Sequence, residues 1–167
     1  MELVLDNIKL CFYDDKISGH KELLLEFDGD SKSDYIHDIR TRLVNNQKKK
    51  DLPFDVGYVV CLNDIFIGYV FISKRVNDEI FVEYSIVNEF RGKCYGKLVL
   101  SEVSEYLFNN YNIKSISLDI EPSNIASIMT AVSVGYIEDE EEYMKRNMCG
   151  KVLYRMDNYN YVNKRKK

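Results

Sequence analysis

The stretch from Arg91 to Gly96 combines residue types that are suited to binding phosphate. It joins an apolar run, Ile80–Val87, to an amphipathic helical pattern over Tyr95–Asn110. Glycines let the backbone approach a ligand closely and adopt positive φ, and a helix that begins here directs unpaired N–H groups and the positive end of its dipole to one point. Full positive charge is added by Arg91, Lys93 and Lys97. We therefore predict a site for a cofactor that carries a pyrophosphate.

The elements that must position this stretch are visible as hydrophobic periodicities. Strands are predicted at Ile8–Tyr13, Gly57–Leu62, Ile65–Ser73, Glu79–Val87, Ile113–Glu121, Tyr143–Arg146 and Lys151–Met156. Helices are predicted at Ser18–Leu25, at Ser33–Gln47, at Tyr95–Asn110, and from Pro122 to a stop at Gly135. The apolar stripe of the last helix is Ile125, Ile128, Met129 and Val132.

The order of these elements, β-α-α-β-β-β-α-β-α-β-β, predicts an α/β fold. The strand, helix and strand over Glu79–Glu121 form a parallel crossover unit, and hairpins elsewhere make the sheet mixed. Ile65–Ile72 is apolar on both faces, which indicates an interior strand. We expect a mixed central sheet of about seven strands with helices on both faces. We expect a single domain over residues 1–160, followed by a basic tail over residues 161–167.

Composition limits the classes of function. The chain has 167 residues and a formal net charge of −4, so general affinity for nucleic acid is not expected. Its four cysteines are widely separated in sequence and lack the spacing of zinc ligands, so we expect no metal and a reduced, cytoplasmic chain. No apolar run is long enough to span a bilayer, and the acidic N-terminus is unlike a signal peptide, so no membrane partner is expected.

Two motifs together resemble the GCN5-related N-acetyltransferases. That family has Gln or Arg-x-x-Gly-x-Gly or Ala between its fourth strand and third helix, where this chain has Arg91 first and Gly96 last, with Cys94 replacing the middle glycine. Many members also carry Asn-x-x-Ala or Ser followed by Gly-Phe, and here the segments are Asn124–Ser127 and Gly135-Tyr136. The sequence of the second motif is similar to that of the ribosomal-protein alanine N-acetyltransferases. The resemblance covers most of the chain from about Val56 onward.

The resemblance implies that acetyl-CoA is the cofactor and that it lies where two parallel strands part. Backbone groups near Ser85, Ile86 and Val87 are then expected to hold the pantetheine and polarise the acetyl carbonyl. The remaining residues implied to bind the cofactor are Arg91, Gly92, Lys93, Cys94, Tyr95, Gly96, Lys97 and Asn124. A side chain at Cys94 takes positive φ only at a cost and narrows the room for pyrophosphate, and the sequence leaves open whether this weakens binding of the cofactor.

The resemblance further implies direct transfer of the acetyl group to a primary amine of a protein terminus or a small metabolite. Glu83 is the candidate general base, and Ser127 is the candidate group that hydrogen-bonds the departing thiolate, because Ala131 stands where many relatives have tyrosine. Asp119 and Glu121 form an acidic strip that would attract a cationic amine. An ordered water is an equal alternative to Ser127.

Several simpler interpretations stand beside these. Glu83 can be an ordinary ion-paired strand carboxylate, Ser127 a hydroxyl that only satisfies backbone groups, and Asn124 a helix-start residue. Cys94 is interpreted as a replaced loop glycine and not as a nucleophile, because no histidine base accompanies it. The alternative function is an acyl-CoA-binding regulatory protein with little transferase activity. The identity of the amine and the oligomeric state are left open by the sequence.

Overall fold

In the described part of the chain, eight strands lie in one mixed sheet of order β1-β2-β3-β4-β5-β6-β8-β7. The computed structural model describes residues 2–14, 16, 39–44, 53–146 and 150–159. The strands are β1 (Glu2–Val4), β2 (Lys9–Cys11), β3 (Val56–Leu62), β4 (Ile65–Lys74), β5 (Glu79–Ile86), β6 (Ser115–Ile120), β7 (Ile137–Glu138) and β8 (Val152–Asp157). The helices are α1 (Tyr95–Asn110), α2 (Ile125–Val134) and α3 (Glu140–Arg146). The predicted α/β class and mixed sheet are confirmed, with eight strands where about seven were expected.

Two turns that the sequence predicted connect the meander strands. Asn63 and Asp64 both have positive φ, 49° and 63°, and β3 pairs with β4 directly on either side of them. This is the pattern of a two-residue hairpin whose twist matches the strands, and Asn and Asp tolerate it well. Asn77 and Asp78, with φ of 60° and 57°, make the turn that leads into β5. The turn residues thus set where β3, β4 and β5 begin.

The described residues pack into two compact units. The first comprises the described parts of Met1–Ser73 and Tyr84–Tyr95. Its strands β1 to β4 pair antiparallel in sequence order, and the chain over residues 39–44 is helical. Its core consists of Tyr13, Ile39, Leu43, Val59, Cys61, Tyr69, Phe71 and Val87, with the partly buried Cys11, Phe66 and Phe90 packed against it. We call these eleven residues the first-unit core.

The second unit comprises the described parts of Lys74–Glu83 and Gly96–Lys167. In it β5 pairs parallel with β6, and β8 pairs antiparallel with both β6 and β7. Helix α1 buries Val99, Val103 and Leu107, as its apolar stripe predicts. Tyr136, from the predicted Gly-Tyr motif, is buried and shares a 2.8 Å hydrogen bond with the Ser104 hydroxyl of α1.

The structure corrects two predictions about this unit. The strand predicted at Tyr143–Arg146 is wrong, and these residues belong to helix α3. Asp139 accepts a 2.9 Å hydrogen bond from the Glu142 N–H, and three acidic residues occupy the first turn, which favours a helix here. The predicted apolar stripe of α2 is also wrong. Its buried residues are Ala131 and Val134, whereas three stripe residues are exposed: Ile125 by 61%, Met129 by 64% and Val132 by 53%.

Several predictions fall partly or wholly outside the described residues. The helix predicted over Ser18–Leu25 lies outside them, as does the tail over residues 161–167. Of the helix predicted over Ser33–Gln47, residues 39–44 are described, and they are helical with Ile39 and Leu43 buried. Strand β1 was not predicted. No helix among the described residues is both long and apolar enough to cross a membrane.

Candidate functional site

The loop between β5 and α1 has a defined backbone conformation. Asn88–Phe90 form a single 3-10 turn, and the N–H groups of Phe90 and Arg91 donate to the carbonyls of Val87 and Asn88 at 2.9 and 3.1 Å. Gly92 and Cys94 then take positive φ, 72° and 63°, immediately before α1 begins at Tyr95. Cys94 therefore occupies the left-handed region that favours glycine, as its position in the motif predicted.

The loop and the first turn of α1 carry uncompensated positive charge. Arg91, Lys93 and Lys97 are exposed and form no ion pair with any residue in the described parts of the chain. The Arg91 Nε donates to the Ile86 carbonyl at 2.8 Å, which fixes the stem of the side chain and leaves the terminal guanidinium nitrogens for another acceptor. Since α1 has no acidic residue in its first turn, its dipole adds to the attraction for an anion.

The end of β5 presents its backbone groups in alternating directions. The Val87 N–H donates to the Ile67 carbonyl of β4 at 3.0 Å. Successive residues of a strand point their N–H groups to opposite sides, so the Ile86 N–H points away from β4. Of the predicted backbone donors, Val87 is thus engaged with the sheet, while Ile86 directs its N–H to the other side.

Gly68 is required for this arrangement and was not predicted. A Cβ on Gly68 of β4 would collide with the carbonyl oxygen of Ser85 on β5. Only glycine allows the two backbones to approach this closely. The one signal in the sequence was a lone glycine inside an otherwise apolar strand pattern, which often marks a close backbone approach.

Strands β5 and β6 part after three residue pairs. Their parallel register runs from Glu79↔Ser115 to Phe81↔Ser117, although β5 continues to Ile86 and β6 to Ile120. No further pair between them occurs in the described chain. Glu83 and Asp119 occupy equivalent positions, each two residues past the last pair and on the same face of the sheet. We call the place where these strands part the fork.

Asp119 is held by Arg75, a residue that the sequence did not single out. The Arg75 Nη2 donates to Asp119 Oδ2 at 2.9 Å, and its guanidinium stacks on the Phe81 ring at 4.2 Å from the centroid. The other carboxylate oxygen, Oδ1, is buried and accepts no hydrogen bond from the described residues. Glu121 lies further along, exposed, with its Oε1 at 3.9 Å from the Lys151 Nζ.

Helix α2 begins at Ile125, three residues after the predicted start at Pro122. Asn124 is its N-cap, as the simpler interpretation of this residue predicted, and the Asn124 side chain accepts a 3.2 Å hydrogen bond from the Ser127 N–H. Among the hydroxyls of this helix, Thr130 donates to the Ala126 carbonyl and Ser133 to the Thr130 carbonyl, each at 2.8 Å. The half-buried Ser127 hydroxyl makes no hydrogen bond within the described residues, so it is not engaged with the helix backbone.

The predicted site residues divide between the two units. In the first unit lie the β5 end and the loop, with Ser85, Ile86, Val87 and Arg91 to Tyr95. In the second lie Gly96 and Lys97 of α1, Glu83 and Asp119 at the fork, Glu121, and Asn124 and Ser127 of α2. Ala131 is completely buried and lies one turn after Ser127 on the same face of α2.

Comparison with known proteins assigns the family. Residues 21–137 match a family model described as "Acetyltransferase (GNAT) domain", so the chain belongs to the GNAT acetyltransferases. It is an N-acetyltransferase of this family, and solved structures of the same fold hold coenzyme A or acetyl-CoA. A search of curated protein sequences found no match.

Solved structures share the fold at low sequence identity. A GNAT-family acetyltransferase from Bacillus anthracis is similar with a TM-score of 0.73 at 16% identity, covering 95% of this chain and 99% of that one. The α-N-protein acetyltransferase RimL in complex with coenzyme A gives 0.67 at 12%, covering 94% and 98%. A spermidine N-acetyltransferase chimera of SpeG from Vibrio cholerae and hSSAT gives 0.68 at 15%, covering 95% and 99%.

Proposed function

We propose that this acetyltransferase transfers the acetyl group directly to a primary amine, carried by a protein N-terminus or a small metabolite. The observation that carries the proposal is the buried Oδ1 of Asp119, which lies just past the last β5–β6 pair and has no donor in the described chain. A buried carboxylate oxygen without a donor is costly, and an ammonium or amine N–H is a fitting donor. Arg75 binds the other carboxylate oxygen, Oδ2, and this ion pair fixes the orientation of the Asp119 carboxylate.

For acetyl-CoA, the loop residues supply the phosphate contacts. Three basic residues have no carboxylate partner among the described residues: Arg91, Lys93 and Lys97. The backbone from Gly92 to Gly96 leads into the first turn of helix α1. In this proposal Ser85, Ile86 and Val87 hold the pantetheine, with the Ile86 N–H as the donor that points away from β4. Asn124, at the start of α2, completes the set of predicted cofactor contacts.

Two side chains handle protons in the proposed reaction. An alkyl ammonium has a pKa of about 10.4, so the amine must lose a proton before it can attack. Glu83 accepts that proton, directly or through one water, from its place two residues past the last β5–β6 pair, the position on β5 equivalent to that of Asp119 on β6. The Ser127 hydroxyl donates a hydrogen bond to the departing thiolate. This role is supported by the absence of any intrahelical acceptor for Ser127, in contrast to Thr130 and Ser133.

The class of amine follows from charge at and near the fork. Asp119 lies on β6 and Glu121 directly follows it. Both carboxylates are proposed to attract a cationic acceptor, Asp119 by direct contact and Glu121 at longer range. Proteins of the same fold are named as acting on an α-amino group of a ribosomal protein and on spermidine. Peptide N-termini and polyamines are therefore the first two groups of a substrate panel.

The proposal is tested with the purified protein, acetyl-CoA and that panel, followed by thiol release and by the mass of the acetylated product. With the best substrate, Ser127→Ala should reduce kcat by roughly 10-fold or more while leaving KM for acetyl-CoA little changed, because the lost contact forms only as the thiolate departs. Ser133→Ala is the matched control, since it removes a hydroxyl from the same helix that is committed to the backbone. Equal kcat values for the two variants would contradict the role of Ser127.

Glu83→Gln tests the base separately. This substitution keeps the size of the side chain and removes its basicity, so kcat/KM should fall and its dependence on pH should lose the limb that reports deprotonation of the base. An unchanged pH profile would assign the proton transfer to another group.

A further inference from the structure

Cys11 and Cys61 form a pair of thiols that their separation of 50 residues in sequence does not suggest. They lie on the neighbouring antiparallel strands β2 and β3, where Cys11 is opposite Val59 and Cys61 is opposite Lys9. Cys61 therefore lies two residues beyond the partner of Cys11 and on the same face of the sheet. The two Sγ atoms are 3.3 Å apart.

The two thiols are in contact but are not bonded. A disulfide bond is about 2.05 Å long, so its formation brings the Sγ atoms together by about 1.3 Å. The ladder between β2 and β3 already holds the two backbones side by side. The sequence predicts a reduced chain, and the structure shows that two of its thiols are placed to react with each other.

We propose that Cys11 and Cys61 are a redox-active modification site, which a low-molecular-weight disulfide oxidises to a Cys11–Cys61 disulfide between β2 and β3. Access to solvent sets the order of reaction. Cys11 is half-buried, whereas Cys61 is only 3% exposed and lies in the first-unit core. A dissolved disulfide therefore meets Cys11 first.

The proposed reaction has two exchange steps. The Cys11 thiolate attacks one sulfur of a disulfide RSSR, an S–S bond forms to Cys11, and one RS⁻ leaves and takes up the proton lost from Cys11. The Cys61 thiolate then attacks the Cys11 sulfur of this mixed disulfide, and the second RS⁻ leaves and takes up the Cys61 proton. The protein loses two hydrogen atoms and RSSR is reduced to two RSH.

Oxidation of this site has a structural consequence that can be measured. The bond would close a covalent loop of 50 residues, and cross-linking a loop of that length lowers the entropy of the unfolded chain. For a chain of this size the expected rise in Tm is roughly 5–15 °C. The site also lies in the first-unit core together with Val87 and Phe90, which belong to the segment that follows β5. The proposal itself concerns the thiols and does not depend on acetyl transfer.

The test uses a background of Cys94→Ser and Cys149→Ser, which removes the other two cysteines of the chain. The protein is equilibrated in buffers of reduced and oxidised glutathione, quenched with acid, alkylated and mapped by mass spectrometry. The proposal predicts a loss of two hydrogen atoms, a peptide cross-linked between Cys11 and Cys61, and a higher Tm that dithiothreitol reverses. Adding Cys11→Ser should abolish all three, and Cys61 should then remain unmodified because it is buried.

Several results would overturn the proposal. If glutathione stays attached to Cys11 and is not displaced, Cys61 cannot reach the Cys11 sulfur. If both thiols stay reduced in the most oxidising buffer, Cys11 and Cys61 are not a redox-active site. A lower Tm on oxidation would show that the bond strains the fold. If the background variant does not fold, peptide mapping of the four-cysteine protein gives the same answer, because a cross-link from Cys11 to any cysteine other than Cys61 contradicts the pairing.

Discussion

Replacing Cys94 by glycine isolates the conformational cost of the cofactor loop. Cys94 has φ of 63°, and a residue with a Cβ pays about 1–2 kcal/mol to adopt this region. Glycine avoids that cost but loses about 0.5–1 kcal/mol through the greater freedom of the unfolded chain. The net gain in the free energy of unfolding for Cys94→Gly is therefore about 0.5–1 kcal/mol, or a rise in Tm of about 1–4 °C.

Two further variants make this prediction specific. Cys94→Ala removes the thiol and keeps the Cβ, so its Tm should equal that of the unmodified protein. Gly92→Ala adds a Cβ at a residue whose φ is 72°. The added Cβ meets no atom within 4 Å, so the expected loss of about 1 kcal/mol in the free energy of unfolding would come from backbone conformation alone. Thermal unfolding followed by circular dichroism measures all three. The strain argument is refuted if Cys94→Gly is no more stable than Cys94→Ala.

The same variants test the effect of Cys94 on the cofactor. Because glycine also removes a side chain from the loop proposed to bind pyrophosphate, Cys94→Gly should lower the Kd for coenzyme A by roughly 2- to 10-fold in calorimetry. A gain in stability with no change in Kd would mean that the strain is real but that the side chain does not narrow the phosphate site.

Three other measurements follow from the structure. Gly68→Ala forces a Cβ against the Ser85 carbonyl and should lower the free energy of unfolding by about 3 kcal/mol in a urea titration. Arg75→Leu leaves the mostly buried Asp119 without its cation and should cost about 2–4 kcal/mol, most of which a second change, Asp119→Leu, should restore. Burial and the neighbouring tyrosine raise the pKa of Tyr111 from 10.0 to about 12, so its contribution to stability is present below pH 10 and should be lost between pH 10 and 12, which Tyr111→Phe should prevent.

The regular elements could be predicted because their signals are local. The bounds of α1, Tyr95–Asn110, agree with the sequence pattern because Gly92 precedes an uninterrupted amphipathic stripe. The hairpin at Asn63-Asp64 followed from two residues that tolerate positive φ. Strand β1 is three residues long and had no periodicity to read. The strand prediction at Tyr143–Arg146 was wrong because the cap at Asp139 and the acidic turn after it favour a helix.

The backbone conformation of the candidate site could be predicted where its residues adjoin in sequence. Positive φ could be predicted for Cys94 because the motif from Arg91 to Gly96 has a glycine at this position in related sequences. The contact of Arg75 with Asp119 joins residues 44 apart, and the thiol contact joins residues 50 apart, so each depends on strand register. Register is set by packing over a whole sheet, and no local pattern carries it. The buried face of α2 could not be predicted for a similar reason, because the spacing of apolar residues alone does not determine which face of the helix packs against the fold.

The central claim is that this protein acetylates a primary amine with acetyl-CoA at the fork. The most direct test is to incubate it with acetyl-CoA and each amine of the panel, and to follow coenzyme A release together with the mass of the amine. We expect one molecule of coenzyme A for each acetyl group added, with the activity strongly reduced in Asp119→Asn, in which an amide replaces the carboxylate. Release of coenzyme A without acetylated amine, or an Asp119→Asn variant as active as the unmodified protein on every amine, would contradict the account.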